Sequence, residues 1–263
     1  MRSATPSPRS GSSSRTRPMA PAGIGVELEG LHAVAEAVAA GRVERIVVEE
    51  RRLDRAPHRR LVAEAEARGI PVEVVDDVRP LARTGAPQGV VARARPLPTT
   101  TLEEAVAAET TPAVLLLDHL EDPRNVGAIV RSAVAAGVRS IVVARRRRAP
   151  LGATAFKAAV GAFEHVRLVE VPSIADALRR LDRLGVWRVG LDAAGDRSLF
   201  GLDLLAEPVG VVVGAEGVGL SRLVRDRVDV LARIPLAGPV ESLNASAAAT
   251  LAVFELARLR GVS

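Results

Sequence analysis

The sequence predicts an α/β fold built on a parallel sheet with helices over both faces. Three observations predict it. Six strand-length runs, at 113–117, 140–144, 166–169, 186–191, 209–213 and 230–234, are dominated by aliphatic residues, and those at 113–117 and 209–213 are apolar throughout. A strand apolar on both sides of its pleat has to be covered on both sides. Helix-length stretches separate the runs, at 126–136, 153–160, 174–184, 221–226 and 243–260, and strands alternating with helices make parallel sheets. Lastly, 48% of the 263 residues are hydrophobic, enough for a sizeable core.

The first part of the chain is organised differently. Residues 1–24 are rich in Ser, Pro and Arg and contain no acidic residue, the composition of a disordered basic tail. Such a tail either grazes RNA phosphates or is a passive extension. Residues 28–40 read as a helix stopped by Gly41, 43–49 as a buried strand, and 56–68 as a helix ended by Gly69. Further strands are expected at 72–75 and 89–94. Pro96, Pro98 and three threonines then mark a connection. The expected layout is a tail (1–24), a small α/β domain (25–95), a linker (96–107) and a larger domain (108–263).

Several classes drop out. No apolar run approaches the roughly 18 residues of a membrane span, and the segment before Glu27 has no apolar stretch of a secretory signal. With no cysteine, disulfides and thiolate metal sites are excluded. His32, His58, His119 and His165 are scattered and match no metal-ligand spacing. A cytoplasmic protein without a metal is the expectation. The net charge is +5, and Lys157 is the only lysine among 36 basic residues. Arginine binds phosphate bidentately and stacks on bases, which favours nucleic acid. A genome rich in G and C produces the same bias, so charge alone decides little. Aromatic residues make up only 2% of the chain, too few for a base-stacking sheet.

In parallel sheets, ligands bind beyond the carboxyl ends of the strands. Three such segments hold nearly all the unusual residues. Residues 118–138 run from a strand end through a Pro-containing turn into a helix beginning near Asn125, with Gly127 open to close backbone approach and Arg131 six residues on. Asn125 is explained equally by helix capping and Arg131 by a solvated helix face. Residues 209–221, VGVVVGAEGVGLS, are a strand, a glycine-rich loop and a helix start. The loop is neither of the two common phosphate-binding glycine patterns. Glu216 at its centre repels phosphate and suits a hydroxyl or an amine, unless it is simply an exposed turn residue. Residues 234–255 begin with an apolar loop and continue into a helix opened by Ser242 and Asn244, whose small residues 245–249 allow close packing. Capping accounts for Ser242 by itself.

Taken together and in this order, the three segments resemble motifs one, two and three of the SpoU (TrmH-like) RNA 2′-O-ribose methyltransferases of the SPOUT superfamily. The match rests on Asn125 and Arg131, on GAEGVG at 214–219, and on IPL with ESLNAS between 234 and 246. EGLHAV at 29–34 and PQGVVA at 87–92 are similar to the small substrate-binding domain of that family, itself like ribosomal protein L30e. The resemblance implies an L30e-like α/β domain followed by a parallel-sheet catalytic domain with a C-terminal trefoil knot, and a homodimer. It implies S-adenosyl-L-methionine as cofactor, held around Val213, Gly214, Ile234, Leu236 and Leu243, with an uncharged pocket wall. Arg131 is then the leading catalytic residue, with Asn125, Glu216, Ser242 and Asn244 shaping the pocket. The similarity is greatest to enzymes of guanosine in 23S ribosomal RNA. Another rRNA or tRNA nucleotide, as in thiostrepton-resistance enzymes, and a silent RNA-binding assembly factor stay open. Leu236, Ala245 and Pro87 stand where the family commonly has Met, Val and His; each keeps an apolar or backbone role. A guanidinium barely deprotonates, so Arg131 is expected to clamp RNA phosphate and stabilise the developing alkoxide, leaving Glu216 or a substrate phosphate to take the proton. Arg145, Arg146, Arg147 and Arg148 are expected to contact RNA phosphates.

Overall fold

A computed structural model of the chain describes residues 23–261. The expected basic tail falls outside them up to residue 22, whereas Ile24 already accepts a hydrogen bond from the Leu97 amide (2.8 Å). Two sheets share the structure. The smaller contains β1 (Glu27–Glu29), β2 (Val43–Glu49), β3 (Val72–Val75) and β4 (Val90–Ala94), in the order β1-β4-β2-β3. It is flanked by α1 (Leu31–Ala39) and α2 (Ala56–Ala67). The helix expected from residue 28 therefore starts three residues later. Leu28 belongs to a short strand antiparallel to β4, and Gly30, at φ 89°, breaks the chain between the two. Three residues are too few to show a strand period.

The larger sheet has eight strands, every pair of them parallel: β5 (Thr99–Thr100), β6 (Ala113–Leu117), β7 (Ser140–Ala144), β8 (Arg167–Val171), β9 (Trp187–Leu191), β10 (Arg197–Ser198), β11 (Val209–Val213) and β12 (Val230–Arg233). Their order is β10-β12-β9-β11-β6-β7-β8-β5. The helices are α3 (Leu102–Ala107), α4 (Pro123–Ala135), α5 (Ala153–Ala159), α6 (Ile174–Arg183), α7 (Arg222–Arg225) and α8 (Ala245–Leu259). Segment 96–107, expected as a linker, carries β5 and α3. The helix forms because Thr101 and Glu104 close a capping box, each side chain bonding the other's backbone N–H.

Alternation along β6 feeds two cores. Leu115 and Leu117 join Ile129, Val130 and Val253 on one face, while Val114 and Leu116 join Leu102, Leu178 and Leu181 on the other. Fully burying one such side chain contributes about 2 kcal/mol. Along the sheet, β6 lies between β7 and β11, so the order reverses there and the loops after β6 and β11 leave side by side. Such a reversal point is where ligands of parallel sheets bind. Gly127 permits α4 to approach α5: a Cβ there would lie 2.3 Å from the Ala155 carbonyl oxygen.

The small sheet docks on the large one through α5 and the turn that follows it. Phe156 stacks on Phe163 with centroids 4.3 Å apart. Gly25 lies against Phe156, where a Cβ would come within 2.2 Å of the ring. Arg42 crosses the seam, donating through Nε (2.7 Å) and Nη2 (2.5 Å) to Glu164, and both side chains are buried. Among the described residues no helix is long and apolar enough to cross a membrane.

Candidate active site

The ends of β6 and β11 are tied together, the Asp118 amide donating to the Val213 carbonyl (2.8 Å). From there the two loops diverge and are re-joined by side chains. In the first, Asp122 caps α4, accepting from the Arg124 amide (2.8 Å), and Pro123 occupies the first turn. Hydrogen bonds from the Arg124 side chain, and then from its amide, hold the Asp122 carboxyl below the usual range. Asn125 is therefore not the cap. Its side chain is released to donate to Glu216 Oε1 (2.7 Å) across 91 residues of chain.

The glycines of the second loop have separate reasons. Ala215 and Gly219 bond each other's backbone in both directions (3.1 and 2.8 Å), closing a tight turn. A Cβ on Gly214 would meet the Gly219 backbone at 2.3 Å, and Gly217 lies at φ 73°, a left-handed region open to glycine. Glu216 is thereby presented at the tip of a rigid turn.

In the third segment, Asn244 and not Ser242 caps α8. Its Oδ1 accepts from the amides of Ser246 (2.8 Å) and Ala247 (3.3 Å). Its Nδ2 is left to donate to Asn125 Oδ1 (3.2 Å) and to Glu216 Oε1. One carboxylate oxygen thus receives amides from both other segments. Ser242 is exposed at the rim.

Beside this junction is a cavity of about 250 Å³. Val213, Gly214, Ile234, Leu236 and Leu243 all line it, together with Glu216 and Ser242. So do Asp192, Arg225 and Glu241, which corrects the expectation of an uncharged wall. Asp192 follows β9, which ends at the same sheet edge, and pairs with Arg225 of α7 (2.5 Å). Sequence reasoning passed over both, although the strand-end rule that singled out the other loops applies equally to the end of β9.

Arg131 is not among the lining residues. It stands exposed on α4, and its side chain makes no hydrogen bond or ion pair among the described residues. The neighbouring Ser132 hydroxyl bonds Thr250 of α8 (2.7 Å), and α8 exposes Leu251 and Phe254 farther along. Of the arginine run, Arg145, Arg146 and Arg147 are exposed, whereas Arg148 turns inward to Glu170 (2.5 Å). Only three of the four are free to meet phosphate. No group of three or more His, Asp or Glu among the described residues is placed to hold a metal ion.

Residues 112–254 match the model of the SpoU rRNA Methylase family, and residues 28–100 match RNA 2'-O ribose methyltransferase substrate binding. A relative from Pseudomonas aeruginosa, 23S rRNA (guanosine-2'-O-)-methyltransferase RlmB, is 44% identical over 153 residues, 58% of this chain and 61% of that protein. The RlmB protein of Yersinia pestis is 45% identical over 152 residues, with 58% and 61% covered. The aligned region thus spans about three fifths of the length of these curated relatives. Among solved structures, the SpoU methyltransferase AviRb of Streptomyces viridochromogenes, in complex with AdoMet, is 27% identical with a TM-score of 0.74, covering 89% of this chain and 90% of that one. A TrmH-family protein from Porphyromonas gingivalis gives 26% and 0.70, covering 89% of both chains.

Proposed function

The chain belongs to the SpoU rRNA methylase family, and from that premise we propose that it methylates a ribose 2′-hydroxyl of RNA, on a guanosine of 23S ribosomal RNA, using S-adenosyl-L-methionine. The observation that carries the reading is the single Glu216 oxygen shared by the amides of Asn125 and Asn244 at the lip of the cavity. Three segments, each at a strand end, converge on one acceptor atom. The similarity to RlmB proteins favours the 23S guanosine over other RNA targets.

The cavity suits the cofactor. Gly214 leaves a cradle that a Cβ would fill, and Ile234, Leu236 and Leu243 offer an apolar wall to an adenine ring. Asp192, Arg225 and Glu241 offer charges to an ammonium and a carboxylate. When bound, S-adenosylmethionine supplies a methyl group made electrophilic by its sulfonium.

The protein's own part is to position and to stabilise charge. Holding the hydroxyl oxygen near the methyl, aligned for displacement, is where much of the acceleration arises. Asn125, Glu216, Ser242 and Asn244 orient the ribose at the lip. Arg131 clamps an RNA phosphate and stabilises the oxygen as it gains charge. Arg131 lies outside the cavity, and exposed Leu251 and Phe254 flank its helix pair; both features support a homodimer in which that face is shared and the site completed across it. Arg145, Arg146 and Arg147 add phosphate contacts.

The larger architecture is part of the same proposal. The loop after β9 wraps the chain of β12: a Cβ on Gly195 would lie 2.7 Å from the Leu231 carbonyl oxygen, and Asp192 and Leu199 donate to Ala232 (3.0 Å) and Arg233 (2.8 Å). That wrapping supports a C-terminal trefoil knot. The small sheet is taken as an L30e-like substrate-binding domain over 25–95, the remainder from 108 as the catalytic domain, and the cytoplasm as the location.

Calorimetric titration with S-adenosylmethionine, followed by methyl transfer to ribosomal RNA with Arg131→Ala as control, tests the reading. Binding and transfer by wild type, with transfer lost in the variant, support it. Binding without transfer to any ribosomal or transfer RNA refutes it.

A further inference from the structure

A second cavity, of about 520 Å³, opens on the other side of the Glu216 turn and shares Ala215, Glu216, Val218 and Gly219 with the first. Asn125 and His119 line it. His119 has two features that call for a reason. Its backbone is left-handed (φ 56°), a conformation that costs a non-glycine residue about 1 kcal/mol or more and is kept where the surroundings demand it. Its Nδ1 lies 2.7 Å from Oδ1 of Asp118, a buried carboxylate whose other oxygen accepts the Ser221 amide (2.9 Å). Asp118 has only its acceptor oxygens to offer, so Nδ1 carries the hydrogen and Nε2 is the free nitrogen. A buried carboxylate fixing the tautomer of a histidine is the arrangement that prepares an imidazole to receive a proton.

A guanidinium barely deprotonates, and the Glu216 carboxylate already holds the amides of Asn125 and Asn244 on Oε1. We propose that His119 is the proton acceptor of the transfer, an inference that rests on the methyltransferase reading. As the ribose oxygen forms its bond to the methyl carbon, the carbon–sulfur bond breaks with its electron pair on sulfur. The hydroxyl proton passes to His119 Nε2, and the resulting imidazolium faces the Asp118 carboxylate until it returns the proton to water. The other charged groups that line this cavity are Glu121 of the same loop, Asp122 at the start of α4 and Glu216 of the turn opposite. Ser221, just before α7, also lines it and carries no charge.

The test is single-turnover methyl transfer at saturating RNA and S-adenosylmethionine across pH 5.5–9, for wild type, His119→Gln and His119→Gly. Glycine removes the backbone strain and leaves room for added imidazole, so a loss there is not a loss of folding. The wild-type rate should fall towards acid pH. His119→Gly should be slower by about 100-fold or more, without the acid limb, and imidazole in the buffer should restore activity. Affinities for S-adenosylhomocysteine and RNA should be unchanged. Nitrogen NMR should show Nδ1 protonated and Nε2 bare. A variant close to the wild-type rate overturns the proposal, as does a loss that keeps the acid limb and ignores imidazole, or a change confined to KM. A wild type inert on ribosomal RNA overturns the methyltransferase reading and this proposal together, whereas an active wild type matched by His119→Gly overturns the proton role alone.

Discussion

The seam between the two sheets and the lip of the cavity are made of similar groups and differ in what is left over. At the seam, Arg42 commits its donors to Glu164 and to the carbonyls of Gly25 and Arg95, under a stacked pair of phenylalanines. The Arg42 and Glu164 side chains are both buried, and these polar groups satisfy one another. At the lip, Asn125, Glu216 and Asn244 also bond one another, Glu216 through one oxygen, at a partly exposed edge with a cavity behind. Saturated polar groups in a dry place hold a fold together. Polar groups with spare donors and acceptors at a wet edge can take a ligand.

If that contrast is sound, substitutions at the two places should have opposite signatures. The largest effect is expected from Glu164→Ala, which strands the Arg42 charge in the buried seam. Losing one partner of a buried pair costs about 3–5 kcal/mol. Urea denaturation should show the loss, while affinity for S-adenosylmethionine in the folded fraction stays close to wild type. Arg131→Ala should do the reverse. Arg131 is exposed and unpaired among the described residues, so stability should change by less than about 0.5 kcal/mol. Methyl transfer should fall on the order of 100-fold, measured with labelled cofactor and ribosomal RNA.

Asn244→Ala should show both signatures in smaller measure, because one side chain caps α8 and holds Glu216. Losing the cap costs about 1 kcal/mol, and calorimetry should show weaker cofactor binding as the turn loosens. The smallest effect lies in the stretch joining the sheets. Glu104 has its carboxyl pushed down to about 2 from the usual 4.5, first by the Thr100 hydroxyl and then by the Thr101 amide. A carboxyl depressed on folding stabilises the native state above its unfolded value and loses that contribution as pH falls through the folded one. Wild type should therefore lose stability between about pH 4.5 and pH 2 more steeply than Glu104→Gln, as read from thermal midpoints across that range.

Much of this was legible in the chain, for identifiable reasons. Strands β6, β7 and β11 were readable to the residue because a strand buried on both faces leaves a continuous apolar run. Strands β5 and β10 have two residues each, and no pattern can appear in two. The capping box of α3 is present in the sequence as Thr101 and Glu104, but the neighbouring prolines and threonines give that stretch the composition of a linker. Which three loops would lie together was visible from their strand-end positions, although Arg131, expected with them, lines neither cavity. How they gather was not: assigning the caps to Asp122 and Asn244 is what frees Asn125 and explains the shared oxygen. Arg42 and Glu164 lie 122 residues apart, and nothing local in either stretch announces the other.

Transfer of a labelled methyl group to 23S ribosomal RNA, followed by nuclease digestion and identification of the nucleoside that carries it, tests the chemistry most directly. The label should appear on a guanosine ribose and make the adjoining phosphodiester resistant to alkali. Label on a base, with every phosphodiester still cleaved by alkali, would contradict it.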